Sequence, residues 1–194
     1  MKKRLLSFRV LLIAVAFFSS LNGICLAGDL QAGFGGIDWS TTLDQVKDCE
    51  QIEDRGDLYY CVRRNQAHTL LGEFVPEVFY GFYREAFFSV YIRIADDEAY
   101  MVSKNQLKDR LGAPETSLDK DGMVSVLRWT RDKVRVELHN DRSKEGFRLI
   151  YYYQPLADKA ARKQKVLFPS KWGKINLFPA PTGDDAADIG ILKF

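Results

Sequence analysis

Polar and apolar positions alternate with a period of two over Lys133–His139, and Glu77–Tyr83, Phe87–Ile94, Met123–Thr130 and Gly146–Gln154 are apolar and aromatic runs on which the same period can be laid. That period sends successive side chains to opposite faces of a sheet, and the β-branched and aromatic content suits strands. Leu58–Arg63 (LYYCVR) reads as a further strand. Arg84-Glu85-Ala86 and Arg131-Asp132 are tight connections, and Asn140–Glu145 is a longer polar turn. Between the strand groups the period changes. Tyr100, Leu107 and Leu111 share one face of a helix from Glu98 to Leu111, which Gly112-Ala113-Pro114 ends. Ser40 or Thr41 stands where a helix N-cap belongs, and Leu43 and Val46 lie on one side of a short helix ending near Cys49. Glu53–Asp57 reads as a turn around Gly56, and Pro155–Leu167 as a third helix.

The order is helix, strand, strand, strand, and then the same again. This predicts an α+β fold: an antiparallel sheet of about six strands packed by two or three helices, two of them on one face. The doubled order suggests a tandem α-β-β-β pseudo-repeat.

Strand phase then sorts the side chains. One face carries Val78, Tyr80, Phe82, Phe88, Val90 and Ile92, continued by Leu127, Trp129, Val136, Leu138, Leu149 and Tyr151, and is the expected helix-covered core. The opposite face is polar in the second half, with Arg128, Arg135, Glu137, His139 and Arg148, but carries Phe79, Tyr83, Phe87, Tyr91 and Arg93 in the first. Rings flanked by arginine on an uncovered surface have the composition of an interface. These five are the candidate binding residues. The competing expectation is that Val166, Leu167, Phe168, Trp172 and their neighbours fold back over the rings, which would make them packing.

The N-terminus changes the picture of the compartment. Lys2, Lys3 and Arg4 precede the apolar run Val10–Phe18, and Cys25-Leu26-Ala27 places small residues at both ends of a tripeptide before Gly28. This is the order of a cleavable signal peptide. Nine apolar residues are too few for a span, which needs about 20. The expected division is residues 1–27 as signal peptide, 28–178 as one α+β domain, and 179–194 as a flexible tail. A lipidated Cys25 fits poorly, because Ile24 precedes it and Leu21 lies four residues upstream. A periplasmic or secreted location follows.

Removing the leader takes away four of the 28 basic residues (Lys2, Lys3, Arg4, Arg9) and none of the 26 acids, leaving a net charge of −2. Global charge therefore gives no case for a nucleic-acid partner. Cleavage leaves Cys49 and Cys61, which an exported protein is expected to pair. Such a bridge closes a loop of about a dozen residues, worth about 2–3 kcal/mol.

Searching for catalytic chemistry yields little. His68 and His139 have no metal-ligand spacing, and the chain contains no nucleophile elbow, phosphate loop or dinucleotide fingerprint. No cofactor is implied. A hydrolytic site assembled around Arg135, Glu137 and His139 is the alternative reading. A basic stretch with Lys159, Arg162 and Lys163 suggests peripheral contact with anionic headgroups as another.

Ile37-Asp38-Trp39-Ser40-Thr41-Thr42-Leu43-Asp44-Gln45-Val46, with Leu111-Gly112-Ala113-Pro114, resembles the opening and helix-end patterns of the SmpA/OmlA outer-membrane assembly lipoproteins and of the β-lactamase-inhibitor-protein-like folds. The resemblance covers 14 of the 194 residues. It implies helices packed on an antiparallel sheet, and members of those groups act by binding proteins. With no catalytic constellation and an aromatic sheet face, the expected role is a non-catalytic module that binds an envelope protein or small ligand.

Overall fold

The computed structural model describes residues 30–63, 67–70, 73–75, 78–94, 96–118, 122–141, 146–164, 166–170 and 189–192, with 67–70, 73–75 and 189–192 as backbone alone. The expected leader lies outside these residues.

A small ribbon of β1 (Gly33–Phe34) and β2 (Ile37–Asp38) leads into a single 3-10 turn at Leu43–Gln45. Then come β3 (Cys49–Asp54), β4 (Leu58–Arg63), β5 (Ala67–Leu70), β6 (Glu73–Val75), β7 (Val78–Tyr83) and β8 (Ala86–Ile94). Helix α1 (Asp97–Leu111) precedes β9 (Glu115–Leu118), β10 (Val124–Arg131), β11 (Val134–Asp141) and β12 (Gly146–Tyr153). Helix α2 (Gln154–Lys163) and β13 (Ile189–Leu192) complete the described elements.

The main sheet is antiparallel, with eight strands in the order β3-β4-β7-β8-β12-β11-β10-β9. Each half is a meander of four strands preceded by a helical element, and the two meanders join edge to edge through β8 and β12. The expected sheet is thus present with two more strands, β3 and β9, at its two edges. Cys49 and Cys61 are disulfide-bonded across β3 and β4, their Cα atoms 5.5 Å apart. Strands β5 and β6 form a separate small sheet with β13, which pairs parallel to β5. Residues 189–192, expected to belong to a flexible tail, are therefore strand.

The helices differ from expectation in placement. Helix α1 packs Tyr100 and Leu107 on one sheet face (face A), with Val78, Tyr80, Val90, Ile92, Leu138 and Tyr151. Helix α2 packs Ala157 and Ala160 on the other (face B), with Phe79, Tyr91, Ile150 and Tyr152. The physical reason is the aromatic content of the first half of face B. Exposed, it would leave a large apolar area in water, and the chain following β12 returns across it. The α1 boundaries follow the sequence signals. The Asp96 side chain accepts from the Ala99 N–H at 2.8 Å, and Gly112, at φ +85°, closes the helix by donating to Lys108 O.

A second correction concerns phase. Phe82 pairs with Phe87 and Gly81 with Ser89, so Phe88 is an extra residue in β8. This bulge turns Phe87 to face A, where it stacks on Trp39 at 4.8 Å, and turns Phe88 to face B beside Tyr152.

Candidate functional site

Face B is divided in two. Over β7, β8 and β12 it is closed by α2, whose small residues Ala157 and Ala160 are fully buried and let the helix backbone approach the rings. Phe79, Phe87 and Tyr91 are 0% exposed and Tyr83 only 5%. Four of the five candidate binding residues are therefore interior, and Phe87 faces the other way. Arg93 alone is exposed. The outer side of α2 carries Lys159, Arg162 and Lys163, all exposed, with Lys163 Nζ 3.5 Å from Asp57 Oδ2. The apolar side of this helix faces the sheet, which removes it as a membrane-inserting surface. Among the described residues no helix is long and apolar enough to cross a membrane.

Beyond α2 a strap, residues 166–170, is neither helix nor strand, and bends at Phe168 and turns at Ser170. Sequence reasoning leaves open whether Leu167 and Phe168 cover the rings, and in the structure they pack against that cluster. It missed the side chains that hold the strap. The hydroxyls of Tyr60 and Tyr91 both donate to Leu167 O. Arg55 donates to Phe168 O, and to Val166 O at 3.2 Å. The Glu53 carboxylate accepts from Ser170 N at 2.8 Å and from Ser170 Oγ at 2.9 Å, and also from Arg55. The Phe168 ring stands edge-on to Tyr91 at 5.4 Å, with the Arg148 guanidinium 4.6 Å from its centroid. Glu53 and Arg55 lie in a segment that reads locally as a turn, and only long-range pairing reveals what they hold. Burial pushes the Tyr60 hydroxyl up to about 12, so it remains a donor at neutral pH. For Glu53, burial opposes ionisation, but the Arg55 and Ser170 hydrogen bonds prevail and lower its pKa.

The other half of face B, on β8, β12, β11 and β10, is charged. Arg93 stands directly across from Arg148, and Arg148 directly across from His139. In the next row Ile150 faces Glu137, which faces Arg128. The Glu137 carboxylate is a hub: Arg128 Nε lies at 3.0 Å, Arg135 Nε at 3.2 Å and His139 Nε2 at 3.0 Å. Burial raises its pKa, but the His139 hydrogen bond, the charges of His139 and Arg135, and the Arg128 hydrogen bond together bring it down to about 2. Arg148 binds Asp141 at 2.8 Å, and Arg135 lies over the Tyr152 ring at 4.9 Å.

The three residues of the hydrolytic alternative are thus assembled. Glu137, however, is an ionised anchor saturated with donors, and a carboxyl titrating near about 2 is a weak proton acceptor at neutral pH. Among the described residues there is no group of three or more His, Cys, Asp or Glu that could hold a metal ion. His68 lies on β5, where only the backbone is described.

An open depression of about 570 Å³ lies at the turn end of the first meander, lined by Leu43, Asp54, Gly56, Asp57, Tyr59, Arg84 and Glu85. Its residues come from three separate turns, so no local sequence signal marks it. Arg84 reaches across it to Asp57 at 3.4 Å.

Comparison with protein-family models, with curated proteins and with solved structures finds no match to this chain.

Proposed function

We propose that the chain is an exported, non-catalytic binding module of the cell envelope, and that it recognises an acidic surface of a partner protein through the charged half of face B. Export rests on the basic, apolar and small-residue order of residues 1–27, and agrees with a Cys49–Cys61 pair at bonding distance. The observation that carries the binding surface is the register of Arg93, Arg148 and His139. Like charges directly opposite in a sheet are unfavourable. Within the protein Asp141 meets Arg148, and Glu137 meets His139, Arg128 and Arg135, which offsets part of that cost and holds the basic side chains in place for carboxylates that approach from outside. Guanidiniums backed by Tyr152 and Phe168 are also suited to anchor a partner.

The test is retention of envelope proteins on the immobilised protein lacking residues 1–27, at low and high salt. A partner held by the wild type at low salt should be lost from Arg93→Glu/Arg128→Glu with an unchanged circular dichroism spectrum. Equal retention by the folded variant would remove this surface from consideration.

A further inference from the structure

We propose that the groove occupied by residues 166–170 is itself a binding site for a non-helical polypeptide segment carrying an aromatic side chain followed by proline, and that the strap is its tethered occupant. The site is separate from the charged surface proposed above and touches it only at Arg148.

The pattern of contacts points to this. Val166 O, Leu167 O, Phe168 O and Ser170 N are the strap atoms gripped by Arg55, Tyr60, Tyr91 and Glu53, and all four are main-chain atoms. Main-chain contacts of this kind supply affinity, and the pockets for individual side chains decide which sequence fits. Side-chain selectivity comes from the Phe168 ring, from Leu167 packed on the same cluster, from the buried Pro169 and from Ser170 Oγ. Proline at 169 disfavours helical backbone at Phe168, so an aromatic-Pro pair has fewer conformations to give up on entering the groove.

The gripping groups sit on rigid strands or beside them, and Tyr60 and Tyr91 are 0% exposed. Without an occupant, the Tyr60 and Tyr91 hydroxyls would lose their shared acceptor and Glu53 would lose the two Ser170 donors. The groove therefore exchanges one occupant for another more readily than it empties. The strap is held without being enclosed: Val166 is 57% exposed and Ser170 is exposed. Tethering gives the strap an effective concentration on the order of millimolar, which masks the site from a free segment.

The experiment uses a fluorescent peptide with the sequence of residues 165–172, and a scrambled control, titrated against the full mature chain. The wild type should bind weakly. Phe168→Ala, which weakens the tethered occupant and leaves the groove intact, should bind the peptide about tenfold more tightly. Adding Arg55→Ala should abolish that gain. Should Phe168→Ala fail to fold, Ser170→Ala at its exposed position should give a smaller gain in the same direction. No gain in any folded strap variant, or equal binding of the scrambled peptide, would overturn the proposal. A wild-type dimer that the free peptide dissolves would assign the site to a second copy of this chain, and would overturn the separate partner.

Discussion

Arg148 lies over the Phe168 ring, its guanidinium carbon 4.6 Å from the ring centroid, and so joins the strap to the charged half of face B. The same side chain binds Asp141 at 2.8 Å, and Asp141 is only 4% exposed. Arg148 thus stands at the boundary between the closed and the charged parts of one sheet surface.

This pairing makes Arg148→Ala costly for a reason separate from the ring contact. It takes an ionic partner away from a buried carboxylate, and breaking such a pair from one side costs up to about 3–5 kcal/mol. The double variant Asp141→Asn/Arg148→Ala should be more stable than Arg148→Ala alone, as measured by urea unfolding. A double variant less stable than the single would show that Asp141 has other partners sufficient to hold it.

Tyr60 and Tyr91 donate to one carbonyl, Leu167 O, so their contributions are coupled. Tyr60→Phe and Tyr91→Phe should each cost about 1 kcal/mol, since either leaves the other hydroxyl in place. Together they leave the carbonyl without either tyrosine donor, and the pair should cost more than the sum by about 0.5 kcal/mol or more. Strict additivity in a double-mutant cycle would mean that water replaces each hydroxyl independently. Truncating Tyr83 or Tyr91 to Ala would report on folding alone, because both rings are core.

Glu137 sets an acid limb. Its folded pKa of about 2 lies below the ordinary 4.5, so the native state favours the ionised form. The sign follows: its stabilisation is complete above about 4.5 and is lost as pH falls toward about 2. A depression of this size corresponds to roughly 3 kcal/mol. Glu137→Gln should be less stable than wild type at pH 6, and the gap should narrow toward pH 2. A gap independent of pH would show that the hub acts by shape and hydrogen bonding alone.

Much of this was readable in the chain because strands buried on both sides must alternate or run apolar. β7, β8, β10, β11 and β12 begin and end within two residues of the positions where the pattern starts and stops. β3 (CEQIED) and β9 (ETSL) were not readable. Each has one sheet neighbour, and all four residues of β9 are exposed, so burial imposes little apolar pattern on it. Phe87 and Phe88 are indistinguishable by hydropathy, so the bulge between them left no trace, and Phe87 was assigned to the wrong face. Phe79, Tyr83 and Tyr91 were correctly sorted to face B. Their cover came from a helix whose contacting residues are alanines, and alanine carries no signal of what it packs against. Strand phase places each charged residue on face B, but the cross-strand register, Arg93 to Arg148 to His139, depends on β8 pairing with β12 across the middle of the sheet.

That register also explains why residue 81 is glycine. Gly81 faces Ser89 directly across the β7–β8 pair, next to the bulge. A Cβ at this position would lie 2.1 Å from Ser89 Oγ and 3.2 Å from Tyr60 Cε1. The first distance is impossible without movement, whereas the second needs a shift of a few tenths of an ångström. Ser89 is fully buried, so its hydroxyl has little room to turn away. Gly81→Ala should therefore destabilise by about 1–3 kcal/mol, the usual range for overpacking. Ser89→Ala removes the clashing atom, and Gly81→Ala/Ser89→Ala should recover more than half of the loss in thermal unfolding. If the double variant melts no higher than Gly81→Ala, the obstruction is the Tyr60 ring, and loosening of the strap from Leu167 O should then accompany it.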